Sequence, residues 1–295
     1  MIEDDMAPAE TTPASRPGAM ARHRLDDLWV RALSALVLVT GAVGSLLAGG
    51  WLFDLFWLGT ALAVHWEWQR LIGAPLPWLR FIGGGLALVL AAAFHRSGLT
   101  ELSFLVIPAA ACFLAWAAGT GYLLWAGAGL FYAGGLLLAT LTVRHAPFFG
   151  VCAIGWLFAV VWGTDVGAYF GGRLIGGPKL APRISPGKTW SGLWVGVLVG
   201  AACGALVAHF WPNVQAPLAP VFLLGLVAGG LAQAGDLFES WVKRRFGVKD
   251  SSRLIPGHGG VMDRVDGFIA AAIFAALFGI ARGLPSAAAG LLYWQ

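Results

Sequence analysis

Nine apolar runs, each near the length needed to cross a bilayer, constrain this chain more than any other feature. They fall at 30–49, 51–67, 78–95, 103–118, 122–143, 148–170, 193–211, 218–238 and 267–281. A helix needs about 20 mostly apolar residues to span roughly 30 Å of hydrocarbon. Backbone polar groups find no water there, so each run is expected to satisfy them internally as a helix. The chain is 58% hydrophobic and 12% charged, whereas soluble domains carry about 25% charged residues. The expected fold is therefore an all-α polytopic integral membrane protein with about nine transmembrane helices. Small residues suit close helix packing, and the tryptophans suit interfacial belts.

Charge placement orients the spans. With nine crossings, sixteen of the 19 basic residues gather on one side, and only Arg96, Arg144 and Arg282 fall opposite. The positive-inside rule makes the crowded side cytoplasmic. It puts the N-terminus there and the C-terminus on the other side. Residues 1–27 are polar and lack the basic start and short apolar core of a signal peptide, so a disordered cytoplasmic tail is expected. Residues 28–295 are expected to form one transmembrane domain, with the half spanning 147–282 carrying most of the polar chemistry. The stretch 283–295, broken by Pro285, reads as a surface or half-inserted helix. Cys112, Cys152 and Cys203 lack metal-ligand spacing and are expected to be buried thiols. Asp54, His65 and Glu67 read as interfacial groups or caps.

Chemistry concentrates in two cytoplasmic segments joined by the helix pair 193–211 and 218–238. The first supplies Asp165, Tyr169, Arg173, Ser185, Lys188 and Thr189; the second supplies Asp236, Glu239, Ser240, Lys243, Arg244, Lys249, Asp250, His258, Asp263, Arg264 and Asp266. On a helix, Glu239 and Ser240 share the face of Asp236, and Asp263 pairs with Asp266 at i, i+3. Acids at such positions are costly unless they meet a wet cavity or a partner. Two aspartates converging from separate helix ends could hold Mg²⁺, which takes one or two carboxylates plus substrate phosphates. The alternative is a set of caps and salt bridges to Lys243, Arg244 and Arg264. Ser185-Pro-Gly-Lys188-Thr189 reads as a turn suited to phosphate oxygens, the alternative being that its basic residues serve only as positive-inside topology signals. It is no P-loop, since Pro182 stands where the first glycine belongs and no strand is expected before it. His258 lies among Gly257, Gly259 and Gly260, which permit close approach to a ligand; capping backbone is its alternative role. Asp165 is either a helix-end cap or a ligand-orienting acid.

At these residues the chain resembles the phosphatidate cytidylyltransferase (CDP-diacylglycerol synthase) family. The family signature runs from a serine through Lys-Arg, Lys-Asp and His-Gly-Gly to Asp-Arg-hydrophobic-Asp, and Ser240 through Asp266 is similar to it throughout. The segment from Asp165 to Thr189 resembles the family's Asp-x-x-Ala-Tyr, Gly-Arg and Ile-Ser-Pro-x-Lys-Thr elements. Where many members carry glutamate after Lys-Thr-Trp, this chain has Ser191; Glu239 is a candidate substitute.

The resemblance implies transfer of cytidylyl from CTP to phosphatidic acid, giving CDP-diacylglycerol and pyrophosphate. It also implies Mg²⁺ beside a monovalent cation such as K⁺, a homodimer, and a multi-pass place in the cell inner membrane with the active-site loops facing the cytoplasm. Catalytic positions map to Lys188, Asp236, Lys243, Arg244, His258 and Asp263, and metal positions to Asp236, Asp263 and Glu239. Substrate-binding positions map to Asp165, Tyr169, Arg173, Ser185, Thr189, Ser240, Lys249 and Arg264. No nucleic-acid partner is expected. Rival readings are a CTP-dependent lipid kinase and a transporter with intramembrane acids.

Overall fold

The computed structural model describes the backbone of residues 17–294 except 213 and 215, and side chains from Trp29 onward. Its helices are α1 Pro17–Ala48, α2 Gly50–Ile72, α3 Pro77–Arg96, α4 Thr100–Ala118, α5 Leu123–Arg144, α6 Gly150–Ile175, α7 Trp190–Phe210, α8 Leu218–Arg245, α9 Met262–Ala281 and the short α10 Ala287–Leu292. Between α6 and α7 lies a hairpin of β1 Lys179–Ala181 and β2 Ser185–Thr189, paired antiparallel.

Every expected apolar run coincides with one of α1–α9. Among the described residues, eight of these helices are long and apolar enough to cross a membrane. The exception is α2, where Asp54, His65 and Glu67 dilute the apolar run. The protein is a multi-pass, all-α membrane protein with almost no sheet.

Local chemistry sets the helix ends that matter here. Thr189 caps α7, its hydroxyl accepting from the Gly192 N–H at 3.1 Å, which satisfies one of the orphan donors of a first turn. The start of α9 has no capping side chain of its own. Its Val261 and Met262 N–H groups instead donate to Glu67 of α2 at 2.8 and 2.6 Å. Where α8 meets α9 the backbones touch: a Cβ added to Gly235 would lie 2.7 Å from the Asp266 carbonyl oxygen. That approach sets Asp236 of α8 beside Asp266 of α9.

Several expectations need correction. The tail expected over 1–27 already contains the start of α1 at Pro17, and residues 1–16 lie outside the described residues. The C-terminal stretch is no surface helix, because α10 is buried, with Leu291 fully enclosed. It is held by Arg282, which donates to the Gly290 carbonyl at 3.0 Å and stacks over Trp294. Cys152 is buried as expected, Cys203 is half-buried, and Cys112 is exposed. An apolar residue on an outer helix face needs lipid rather than protein to cover it. A strand, β1, does precede Ser185–Thr189. The P-loop reading still fails, since Ser185–Thr189 is itself the strand β2 rather than a loop between strand and helix.

Asp54, expected at the interface, is a buried hub at the end of the bundle where α3 and α5 finish. It pairs with Arg96 at 3.2 Å and His145 at 2.7 Å. His65 bonds the Arg80 carbonyl through Nε2 at 3.2 Å. Arg80 is fully buried and donates to the Pro75 and Ala74 carbonyls and to Gln69.

Candidate active site

Four elements bring polar side chains to one place. Asp165 and Tyr169 stand one turn apart on α6, as i, i+4 neighbours do. Lys188 comes from β2, just before the Thr189 cap. Gln233 and Asp236 share a face of α8 at i, i+3, and Asp263, Arg264 and Asp266 open α9. All of these residues, with Thr189, Gly192 and Leu193, line one polar cavity of about 380 Å³. Asp236 and Asp263, the two acids on which the sequence reading turns, therefore face the same space.

The cavity carries four carboxylates against the two cations Lys188 and Arg264. Lys188 pairs with Asp236 at 2.7 Å and donates to Gln233 Oε1 at 3.0 Å. The Gln233 amide donates in turn to Asp165 Oδ1 at 3.2 Å, and Ser240 Oγ approaches Asp236 Oδ1 at 3.4 Å. Asp165 and Asp266 both lie within electrostatic reach of Asp236. Among the described residues, no group of three His, Cys, Asp or Glu side chains is arranged to hold a metal ion by itself.

Asp263 is held from behind. Its Oδ1 accepts from Lys243 Nζ at 2.7 Å, and its Oδ2 accepts from the Gly260 N–H at 2.7 Å and Ser251 Oγ at 3.1 Å. Lys243 also pairs with fully buried Glu239 at 2.6 Å, one turn back on α8. Glu239 and Lys243 thus stand behind Asp263 and off the cavity lining. Ser251 and Ser252 donate to Glu67 at 3.2 and 2.6 Å. Glu67 is fully buried and binds four donors, two hydroxyls and two backbone N–H groups. A Cβ added to Gly260 would lie 2.6 Å from Glu67 Oε1, so glycine is needed there for the segment to close over this carboxylate.

The remaining expected site residues surround the cavity without lining it. Arg244 is exposed and donates to the Ile184 carbonyl of the hairpin turn at 3.4 Å and to Val248 at 3.1 Å. Arg173 is exposed at the end of α6, and Ser185 is half-buried on β2. Lys249 lies in a different cavity, with Trp66 and Arg70. Ser191 donates to the Gly176 carbonyl and bonds Thr189, so it locks the hairpin to α7.

His258 borders a second, mostly apolar cavity of about 230 Å³, which shares Asp165, Arg264 and Asp266 with the first. Its other walls include Phe56 and Trp57 of α2, Phe158 and Trp162 of α6, and Phe268 of α9. Arg264 donates to the His258 carbonyl at 2.8 Å. Partial burial, then the positive charges of Arg264 and Arg31, push the His258 imidazole below its ordinary value of 6.5.

Sequence reasoning missed Gln233 and Glu67 as site residues. Gln233 had a signal: a lone amide within an apolar run, one turn before Asp236 and on its face. Glu67 had none, because its partners lie far along the chain.

The family model described as the cytidylyltransferase family matches residues 29–281. A phosphatidate cytidylyltransferase of Brucella suis is 42% identical over 91% of this chain and 99% of its own length. Those of Pseudomonas aeruginosa and Haemophilus influenzae are 35% and 34% identical, each over 84% of this chain and at least 95% of their own. With the signature segment folded around the shared cavity, and a match reaching from α1 through α9, the chain belongs to the cytidylyltransferase family.

Proposed function

We propose that this protein is a phosphatidate cytidylyltransferase, transferring CMP from CTP to phosphatidic acid. The observation that carries the reading is the meeting of two unlike cavities. One is polar and charged; the other is walled by aromatic side chains, and Asp165, Arg264 and Asp266 border both. A nucleotide suits the first and an acyl chain the second, so a lipid phosphate and a triphosphate can meet at the shared wall.

In the reaction an oxygen of the lipid phosphate forms a bond to the α-phosphorus of CTP. The bond from that phosphorus to the β-bridging oxygen breaks, and pyrophosphate leaves with the electron pair. A phosphate monoester is largely dianionic at neutral pH, so the nucleophile needs no strong base. The barrier lies in aligning two anions and offsetting their repulsion. Lys188, carried on a strand and steered by Gln233, supplies a fixed positive charge beside the α8 carboxylate. Arg264 supplies another at the border with the apolar cavity, where a guanidinium suits a phosphate. Behind them, Lys243 and Glu239 hold the Asp263 carboxylate in place.

The donor set fits a hard divalent cation. Four carboxylates facing two cations would repel a triphosphate unless metal came with it, and Mg²⁺ takes oxygen ligands of this kind. Asp236 and Asp263 would hold Mg²⁺, with a monovalent cation such as K⁺ beside it; Glu239 would act indirectly through Lys243. Bound there, the metal would neutralise phosphate charge as it develops. The reading puts nine crossings in the cell inner membrane, with the N-terminus and the site facing the cytoplasm, the C-terminus opposite, and two copies associated as a homodimer.

The test is product analysis with purified protein, CTP labelled at the α-phosphate, phosphatidic acid and Mg²⁺. Label in a CDP-lipid with release of pyrophosphate supports the reading. CDP with a newly phosphorylated lipid would mean γ-phosphoryl transfer instead, and absence of both would leave transport as the better account of the acids.

A further inference from the structure

Beside the site, and separate from its lining, lies a third cavity of about 600 Å³ bordered by Trp66, Arg70, Lys249, Asp250, Ser251, Ser252, Arg253 and Leu254. Three of these residues are cations and one is an acid. Around the reaction cavity, Lys188, Lys243 and Arg264 all bond carboxylates or carbonyls. Arg70, Lys249 and Arg253 differ: among the described residues none of them has an ion pair or a side-chain hydrogen bond, and Asp250 pairs with none of them. The Arg70 guanidinium lies over the Trp66 ring, 5.2 Å from its centroid. Leu254 adds an exposed apolar edge.

We infer that this cavity binds a phosphate-bearing anion, and that the headgroup of an anionic phospholipid is its occupant. Three like charges around one concavity repel one another, and an anion relieves that repulsion. Guanidinium forks match phosphate oxygens, and juxtamembrane cations draw anionic lipid from the inner leaflet. Trp66 gives the cavity an amphipathic wall of the kind found at the membrane–water boundary. The hydroxyls of Ser251 and Ser252 are less available to a ligand, since they are committed to Glu67 and Asp263. Ser251 thus joins the wall of this cavity to Asp263 through one hydrogen bond. The inference rests on the cytoplasmic placement of this face proposed above and not on the reaction.

The test uses the protein in a neutral detergent, with retained lipid counted by native mass spectrometry. Dioleoyl phosphatidylglycerol is the probe and dioleoyl phosphatidylcholine the control, with Arg70→Ala/Arg253→Ala as the variant. The wild type is expected to retain phosphatidylglycerol over phosphatidylcholine, and the double variant to lose that preference by roughly tenfold or more. Arg70→Lys/Arg253→Lys, which keeps both charges, is expected to retain most of it. Inorganic phosphate separates the two sources by displacement alone: if it strips phosphatidylglycerol from the wild type, the anion is soluble and the headgroup assignment fails; if the lipid stays bound, the ligand is a lipid headgroup. Equal retention of the two lipids by the wild type, or an undiminished preference in the double alanine variant with a normal melting temperature, would overturn the inference. CDP-lipid formation by the same preparations is scored separately, so failure of that reaction does not decide this one.

Discussion

Glu67 accepts a hydrogen bond from the Met262 N–H at 2.6 Å across 195 residues of sequence. One carboxylate from the N-terminal half thereby caps the helix that carries Asp263, Arg264 and Asp266. The first helices are more than scaffold, because without α2 the start of α9 would have no side-chain cap. Replacing Glu67 with alanine strands buried donors, each costing about 1–3 kcal/mol. Glu67→Ala is expected to lower the melting temperature and abolish most turnover, while Glu67→Gln retains part of both. Circular dichroism melts beside kcat and KM for both variants check this. A Glu67→Ala protein with unchanged melting and rate would show that the cap is dispensable.

Lys188 owes its position to three neighbours: the Asp236 carboxylate, the Gln233 amide and the strand that delivers it. Lys188→Ala is expected to reduce kcat/KM by about 10²–10³, the usual cost of removing one fixed charge-stabilising group. Gln233→Leu, which frees the ammonium without deleting it, is expected to cost less, about tenfold. Steady-state kinetics with CTP varied at fixed lipid fraction will rank the two.

His258 sits where burial and the charges of Arg264 and Arg31 disfavour its protonated form. It is therefore expected to be neutral at pH 7 and to gain its proton only at a pH below 6.5. Removing a nearby positive charge reverses part of the effect, so Arg264→Gln should move the titration upward. Histidine-selective NMR of isotope-labelled protein in detergent measures both. A titration above 6.5 in the wild type, or a downward move in the variant, would contradict the assignment.

Hydropathy exposed the helices because a membrane span leaves a run of apolar residues that nothing else requires. The charged clusters likewise revealed Asp236, Asp263, Asp165 and Lys188, since polar groups at the ends of apolar helices demand a reason. Tertiary placement was not legible. Glu239 and Lys243 read as candidate metal and phosphate groups, yet they face each other behind Asp263, because i, i+4 spacing pairs them before any ligand is involved. Lys249 read as a substrate-binding position, but the segment after α8 carries it into the cavity of Trp66 and Arg70 instead of the reaction cavity. The hairpin escaped notice because its strands are short and contain Pro186 and Gly187, both poor strand formers. Glu67 looked like an interfacial cap, and a cap it is, though of a helix near the other end of the chain.

The central claim is that Asp236 and its neighbours around the cavity bind a divalent cation together with CTP. Asp236→Asn tests it more cleanly than Asp263→Asn, because Asp263 also receives bonds from Lys243, Ser251 and Gly260 and its loss would disturb the start of α9. The decisive measurement is Mn²⁺ binding by electron paramagnetic resonance, with CTP present, in wild type and Asp236→Asn. The account predicts a CTP-dependent bound ion in the wild type and binding weaker by about tenfold or more in the variant. Equal Mn²⁺ affinity in the two proteins would contradict it.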